Sequence, residues 1–178
     1  AGRAPLATSG TQECVNHLKC VENHDKRHEQ GKMKEKTLLK LHKGISKDTV
    51  EDPGYEGRYR DVQVYVGNSS TSEVVFMPPP STNVPELTNE LIEWINSEAS
   101  SELDPIIVAG LSHYEFVRIH PFVDGNGRTA RALATLILYS REFDIKKFFA
   151  LDDYYDSDRD AYYNTLNSVD QKTLDLTQ

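Results

Sequence analysis

His120-Pro-Phe-Val-Asp-Gly-Asn-Gly-Arg-Thr-Ala-Arg131 packs a base, an acid, two glycines, an amide and two arginines into twelve consecutive residues. Upstream, Ile106-Ile-Val-Ala-Gly-Leu111 continues through Tyr114, Phe116, Val117 and Ile119, a spacing that predicts a buried helix delivering His120 at its C-terminal end. Asp104-Pro105 suits the start of that helix, and Pro121 stops it, because proline cannot continue a helix and pushes the preceding residue out of the right-handed region. Downstream, Arg128 to Tyr139 reads as a second helix, rich in good formers and apolar residues. Gly125-Asn126-Gly127 joins the two, a run that tolerates positive φ and lets a ligand approach the backbone.

A glycine-bracketed turn feeding a helix N-terminus is an anion site, since unpaired N–H groups point outward and the helix dipole favours negative charge. Phosphate fits it best. Arg128 and Arg131, three apart on one helix face, can both reach one polyphosphate. Asp124 is acidic in a site otherwise built for anions, which is reasonable if it holds Mg2+, a hard ion that takes one or two carboxylates plus phosphate oxygens. His120, whose side-chain type has an ordinary pKa of about 6.5, is then the proton acceptor. Together these residues describe phosphoryl or nucleotidyl transfer.

The same residues carry a family resemblance. His120-Pro121-Phe122, Asp124-Gly125-Asn126-Gly127-Arg128 and Arg131 fill all nine specified positions of the twelve-residue signature of Fic-domain proteins, and the chain resembles that family. The similarity extends from about residue 12 to 176, through Arg60-Asp-Val-Gln-Val-Tyr-Val-Gly67, Pro78-Pro-Pro80 and Pro85-Glu-Leu87. The resemblance implies a mainly α fold, a Fic-type helical bundle with one β-hairpin flap beside the active site. It also implies transfer of AMP from ATP to a Ser, Thr or Tyr hydroxyl of a target protein, with self-modification included. Transfer of UMP or phosphocholine, or a non-catalytic nucleotide-binding interaction module, are the alternatives.

Around this centre the chain reads as one domain over residues 12–178 behind a linker or flexible end at 1–11. With 38% hydrophobic and 27% charged residues the composition is that of an ordinary soluble protein, and a net charge of −8 argues against bulk nucleic-acid binding. No apolar run approaches the roughly 18 residues of a membrane span, and no signal-like pattern opens the chain. Cys14 and Cys20 are placed on one helix at a poor separation for a disulfide; reduced thiols and acidic composition suit the cytoplasm. His24 and His28, at i and i+4, lack a third ligand and read as a solvated helix end.

Residues 32–46 carry Met33, Leu38, Leu39, Leu41 and Ile45 and predict an amphipathic helix ended by Gly44 and its neighbours. Val62, Val64 and Val66 then alternate with polar partners, a Gly/Asn/Ser/Thr turn follows, and Val74, Val75, Phe76 and Met77 return to β-prone residues before Pro78. A hairpin over 62–77 is expected, and the resemblance makes it a flap on which Val64, Val66, Val74, Val75 and Phe76 dock the target segment by strand-like pairing. Residues 85–97 predict a helix with Trp94 in the core, and His113 reads as a packed histidine. Beyond 141, residues 159–169 predict a helix whose Tyr162 and Tyr163 would, by the resemblance, wall the adenosine pocket.

The resemblance gives each signature residue a role. His120 acts as general base. Asp124 holds Mg2+, with Mn2+ as a substitute. Gly125 to Gly127, with Asn126, form the anion hole for ATP, and Arg128 and Arg131 grip its β- and γ-phosphates. Many relatives restrain themselves with a Ser/Thr-x-x-x-Glu-Gly/Asn helix whose glutamate pairs with the second signature arginine. Ser9 to Glu13 and Thr82 to Glu86 match its first half, but Cys14 and Leu87 follow, so both read as chance matches. Residues 1–178 are therefore expected to be uninhibited, with Arg131 available for ATP, and any inhibitory helix or antitoxin would come from outside them.

Overall fold

The computed structural model describes residues 32–67 and 74–143, together with the helical positions 161, 164, 165 and 168. It divides into two units, Ala1–Phe143 and Asp144–Gln178. In the second, the hydroxyls of Thr165 and Ser168 bond back to the carbonyls of Ala161 and Thr165, as on a helix.

The described part of the first unit holds five helices and a two-stranded hairpin: α1 (Glu35–Ser46), β1 (Val66–Gly67), β2 (Val74–Phe76), α2 (Val84–Ile95), the single turn α3 (Glu98–Ser101), α4 (Pro105–Ile119) and α5 (Asn126–Ser140). Helices α4 and α5 form the most extensive pair, with α2 against α4 and α1 against α5. Their apolar stripes meet in one core: Leu38, Leu41 and Ile45 of α1, Val84 and Leu91 of α2, Val108, Phe116 and Ile119 of α4, and Leu133 and Ile137 of α5. Each such side chain contributes about 1.5–3 kcal/mol when fully buried. Phe122, inside the loop between α4 and α5, is 0% exposed, so the loop is itself part of the core.

Helix α4 begins as its sequence predicts. The Asp104 carboxylate accepts from the Ile106 N–H at 2.8 Å and Pro105 occupies the first turn. Helix α5 ends on Arg141, whose guanidinium donates to the carbonyls of Ser100 (2.6 Å) and Ile95 (3.3 Å), tying α5 to the ends of α2 and α3. The Asn96 side chain exchanges two bonds with the Met33 backbone, fixing the chain just before α1.

Helix α1 ends at Ser46, the end expected, with Ile45 and Ser46 both 0% exposed, and starts at Glu35, three residues later than expected. Two expectations are corrected. Trp94 is half-buried at the rim of α2 and not a core residue. The hairpin does not fill 62–77: among the described residues pairing is confined to Val66 with Phe76 and Gly67 with Val74, with an irregularity between, and 62–65 and Met77 lie outside the strands. Side chains supply the bonds that a longer ladder would have made, since Arg60 donates to the Val62 carbonyl and Gln63 to those of Val64 and Pro78. Among the described residues no helix is long and apolar enough to cross a membrane.

Candidate active site

The loop between α4 and α5 is held by local geometry first. His120 caps α4 in the left-handed conformation (φ 50°, ψ 61°), unusual for a residue with a side chain. Its own N–H still bonds to the Phe116 carbonyl at 3.0 Å. The Asn126 side chain spans the turn and is 3% exposed, its oxygen accepting from the Phe122 N–H and its amide donating to the Phe122 carbonyl, both at 2.9 Å. The Asn126 side chain therefore shapes the loop through its oxygen and one of its two amide hydrogens, and its backbone N–H opens the first turn of α5. Gly125 sits at φ 76° and is the residue before α5, where a β-carbon would also lie 3.4 Å from the His42 ring.

Two distant residues brace this loop, and sequence reasoning missed the role of both. Arg60 is 2% exposed, and its guanidinium donates to backbone carbonyls: His120 (2.8 Å), Val62 (3.1 Å), Pro79 (2.5 Å) and, more weakly, Ile119 (3.4 Å). It caps α4 and ties both legs of the hairpin to His120. His42, 0% exposed, stacks flat on Phe122 (3.6 Å between ring centroids, 5° between planes). It accepts from the Gly57 N–H at Nδ1 (2.9 Å), so Nε2 carries the proton and donates to the Asp124 carbonyl (3.0 Å). Burial pushes the His42 pKa down to about 4, so this neutral tautomer persists at neutral pH. Gly57 (φ 68°) is required here, because a β-carbon would lie 2.8 Å from the Leu39 carbonyl oxygen of α1.

The signature side chains converge. His120, Val123, Asp124, Gly125, Asn126, Gly127, Arg128 and Arg131 line one open cavity of ≈ 230 Å³. His120 Nδ1 lies 3.1 Å from the Val117 carbonyl, which can only accept, so Nδ1 holds the proton and Nε2 carries the lone pair. Burial lowers the His120 pKa, with the Arg60 charge adding to it against the Val117 bond and the Asp124 charge, which raise it. The ring is therefore neutral at pH 7 and able to accept a proton at Nε2.

The Asp124 carboxylate is exposed, accepts from the Gly125 N–H at 2.5 Å through one oxygen and lies 3.4 Å from Arg128 through the other. With the Gly125 N–H so used, the N–H groups able to face an anion are those of the first turn of α5, beginning with Asn126 and Gly127, which have no intrahelical acceptor. Arg128 is anchored by Thr49, a further residue the sequence did not disclose, at 2.9 Å. Arg131 leans over Gly127, where a β-carbon would lie 3.6 Å from its guanidinium. His113, which feels the Arg131 charge, is 6% exposed, and its pKa is lowered to about 4 by burial first and by that charge second. One carboxylate beside an anion cradle is the donor set Mg2+ accepts when phosphates complete it, and among the described residues no three His, Cys, Asp or Glu side chains cluster to make an all-protein metal cage.

Of the other expected site residues, Val66, Val74 and Phe76 lie in the hairpin; Val64 precedes it, and Val74 is 60% exposed. The Val75 side chain, Tyr162 and Tyr163 lie outside the described residues, as do Cys14, Cys20, His24, His28 and the Ser9–Glu13 stretch. Glu86, in the second partial match, is exposed in the first turn of α2.

Comparison with known proteins agrees with this geometry. The sequence model of the Fic/DOC family matches residues 32–138. Protein adenylyltransferase fic-1 of Caenorhabditis elegans is 39% identical over 106 residues, 60% of this chain and 19% of the relative. Protein adenylyltransferase Fic of Drosophila virilis is 42% identical over 103 residues, 58% of this chain and 19% of the relative. The chain thus spans about a fifth of the length of these curated relatives, 19% in each case. Among solved structures, a Fic family protein from Desulfovibrio desulfuricans superposes with a TM-score of 0.75 at 28% identity, covering 96% of this chain and 49% of that one.

Proposed function

Since the chain belongs to the Fic/DOC family, matched over residues 32–138, we propose that it is a protein adenylyltransferase moving AMP from ATP to a side-chain hydroxyl of a protein target. The observation that carries this reading is that a neutral histidine with its lone pair on Nε2 lines the same cavity as Asp124, the N-terminus of α5 and two arginines. The relatives named adenylyltransferases support the choice of AMP as the group transferred.

The target oxygen attacks the α-phosphorus of ATP as His120 Nε2 takes its proton; the bond from the α-phosphorus to the bridging oxygen breaks, and pyrophosphate leaves with that electron pair. Asp124 would hold Mg2+, which neutralises phosphate charge when bound. First-turn N–H groups of α5 face the phosphates, and Arg128 and Arg131 bind the β- and γ-phosphoryl oxygens. Among the described residues the hairpin has two strands, so each has an outer edge that the target backbone can extend. Positioning it so that the bound hydroxyl meets His120 is a role for Arg60, which bonds to both hairpin legs and to the His120 carbonyl.

Incubation with α-labelled ATP and a cell lysate tests the proposal, with self-modification read by intact mass. His120→Ala is expected to lower transfer roughly 10²–10⁴-fold, the range of general-base catalysis, while ATP binding persists. Equal labelling by wild type and variant refutes the role of His120; absence of AMP transfer to any protein by the wild type refutes the reaction.

A further inference from the structure

His42 lies outside the signature, yet it reaches the core of the loop across 82 residues of sequence. Its ring is fully buried, flat against Phe122, and both nitrogens are engaged by backbone: Gly57 donates to Nδ1 and Nε2 donates to the Asp124 carbonyl. The second bond has a consequence one peptide further on. In a planar trans peptide the C=O and N–H point in opposite directions. Fixing the Asp124 carbonyl toward the buried ring therefore turns the Gly125 N–H the other way, where it holds the Asp124 carboxylate at 2.5 Å. A single relay runs from His42 Nε2–H through the Asp124–Gly125 peptide to the Asp124 side chain, whose other oxygen stays exposed beside Arg128.

We infer that His42 is a positioning residue: its Nε2–H bond to the Asp124 carbonyl sets the direction of the Asp124 carboxylate and so the affinity of the site for a divalent cation bound with ATP. The inference rests on the adenylyltransfer reading of the cavity. The two nitrogens have separable duties. Nδ1 receives Gly57 and joins α1 to the following loop, a purely structural bond; Nε2 acts on the site. Glutamine can place an amide N–H near the Nε2 position, whereas asparagine can place an oxygen near the Nδ1 position, so the two substitutions keep different halves of the ring's bonding.

The experiment measures ATP affinity with Mn2+ and with EDTA, and the Mn2+ electron paramagnetic resonance signal with ATP, for wild type, His42→Gln and His42→Asn. Thermal unfolding of each variant is followed in parallel. A lost outer-shell partner lowers metal affinity by roughly 10–100-fold. His42→Asn is expected to lose Mn2+–ATP affinity within that range and to keep its affinity for ATP in EDTA, while His42→Gln stays within about threefold of wild type. Equal Mn2+–ATP affinity in the two variants, or an equal loss in EDTA, overturns the inference. If either variant fails to fold, the imidazole nitrogen spectrum of the wild type decides: a proton on His42 Nε2, coupled across the hydrogen bond to the Asp124 carbonyl, supports the relay, and a proton on Nδ1 overturns it. A wild type that binds ATP with Mn2+ but not as an AMP donor refutes the proposed reaction and leaves this relay standing; one that binds no ATP refutes both.

Discussion

Arg60→Met removes a guanidinium that joins His120, the end of α4 and both legs of the hairpin. Three carbonyls, of His120, Val62 and Pro79, lose donors at 3.1 Å or closer, and the Ile119 carbonyl loses a weaker contact at 3.4 Å. All three bonds lie at part-buried positions, and Val62 is itself 45% exposed, so water can reach the freed carbonyls and each bond contributes about 0.5–1.5 kcal/mol net of desolvation. The expectation for the three is a loss of about 2–4 kcal/mol, or roughly 8–16 °C in Tm for a unit of this size. Arg60→Lys is expected to fare no better, because a single ammonium keeps the buried charge but cannot fork to carbonyls on separate segments. Calorimetric unfolding of both variants, with the proposed AMP transfer to a protein target and to the chain itself measured on the same samples, is the assay. A Tm within about 2 °C of wild type for Arg60→Met would refute the argument that these bonds carry stability. A lysine variant that unfolds and transfers like wild type would show that charge alone, and not the planar fork, is what the site requires.

Stability should also fall in acid for a reason set by two buried histidines. His42 and His113 both titrate near 4 in the folded chain against an ordinary value of 6.5, so the unfolded chain binds these protons more readily. Their contribution is complete above about pH 6.5 and is lost as pH falls toward 4, on the order of 3 kcal/mol for each. Urea midpoints measured across that window should decline, and His113→Leu should reduce the slope; a flat profile contradicts the burial assignment. Gly110→Ala should raise stability by roughly 0.5–1 kcal/mol, because Gly110 lies inside α4 and a β-carbon added there meets nothing within 4 Å. A lower Tm would mean that the position is closed to a methyl group. Asn126→Ala deletes two bonds to Phe122 at a site 3% exposed, and should cost about 2–3 kcal/mol together with ATP affinity, read by calorimetry; retention of both would show that the loop holds its shape unaided.

Residue order alone specifies the helices on either side of the loop, the cap at Asp104, the break at Pro121 and the convergence of His120, Asp124, Arg128 and Arg131, because each of these follows from signals within a few residues. Periodicity sets which face of α4 is buried, proline and glycine set where the chain turns, and i, i+3 spacing brings the arginines to one face. Local signals are less able to delimit the hairpin. Alternation of valines suggests strands from 62, whereas Arg60 and Gln63 divert that backbone into side-chain bonds. Which atoms hold the loop in place was settled by long-range packing. His42, Arg60 and Thr49 reach it across 82, 60 and 79 residues, and nothing in the local pattern around a histidine, an arginine or a threonine reveals a partner so far along the chain. The part taken by the Asn126 side chain and the Gly125 N–H has a related cause: a signature names residue types near a phosphate, but the folded backbone determines which of their polar groups are already engaged.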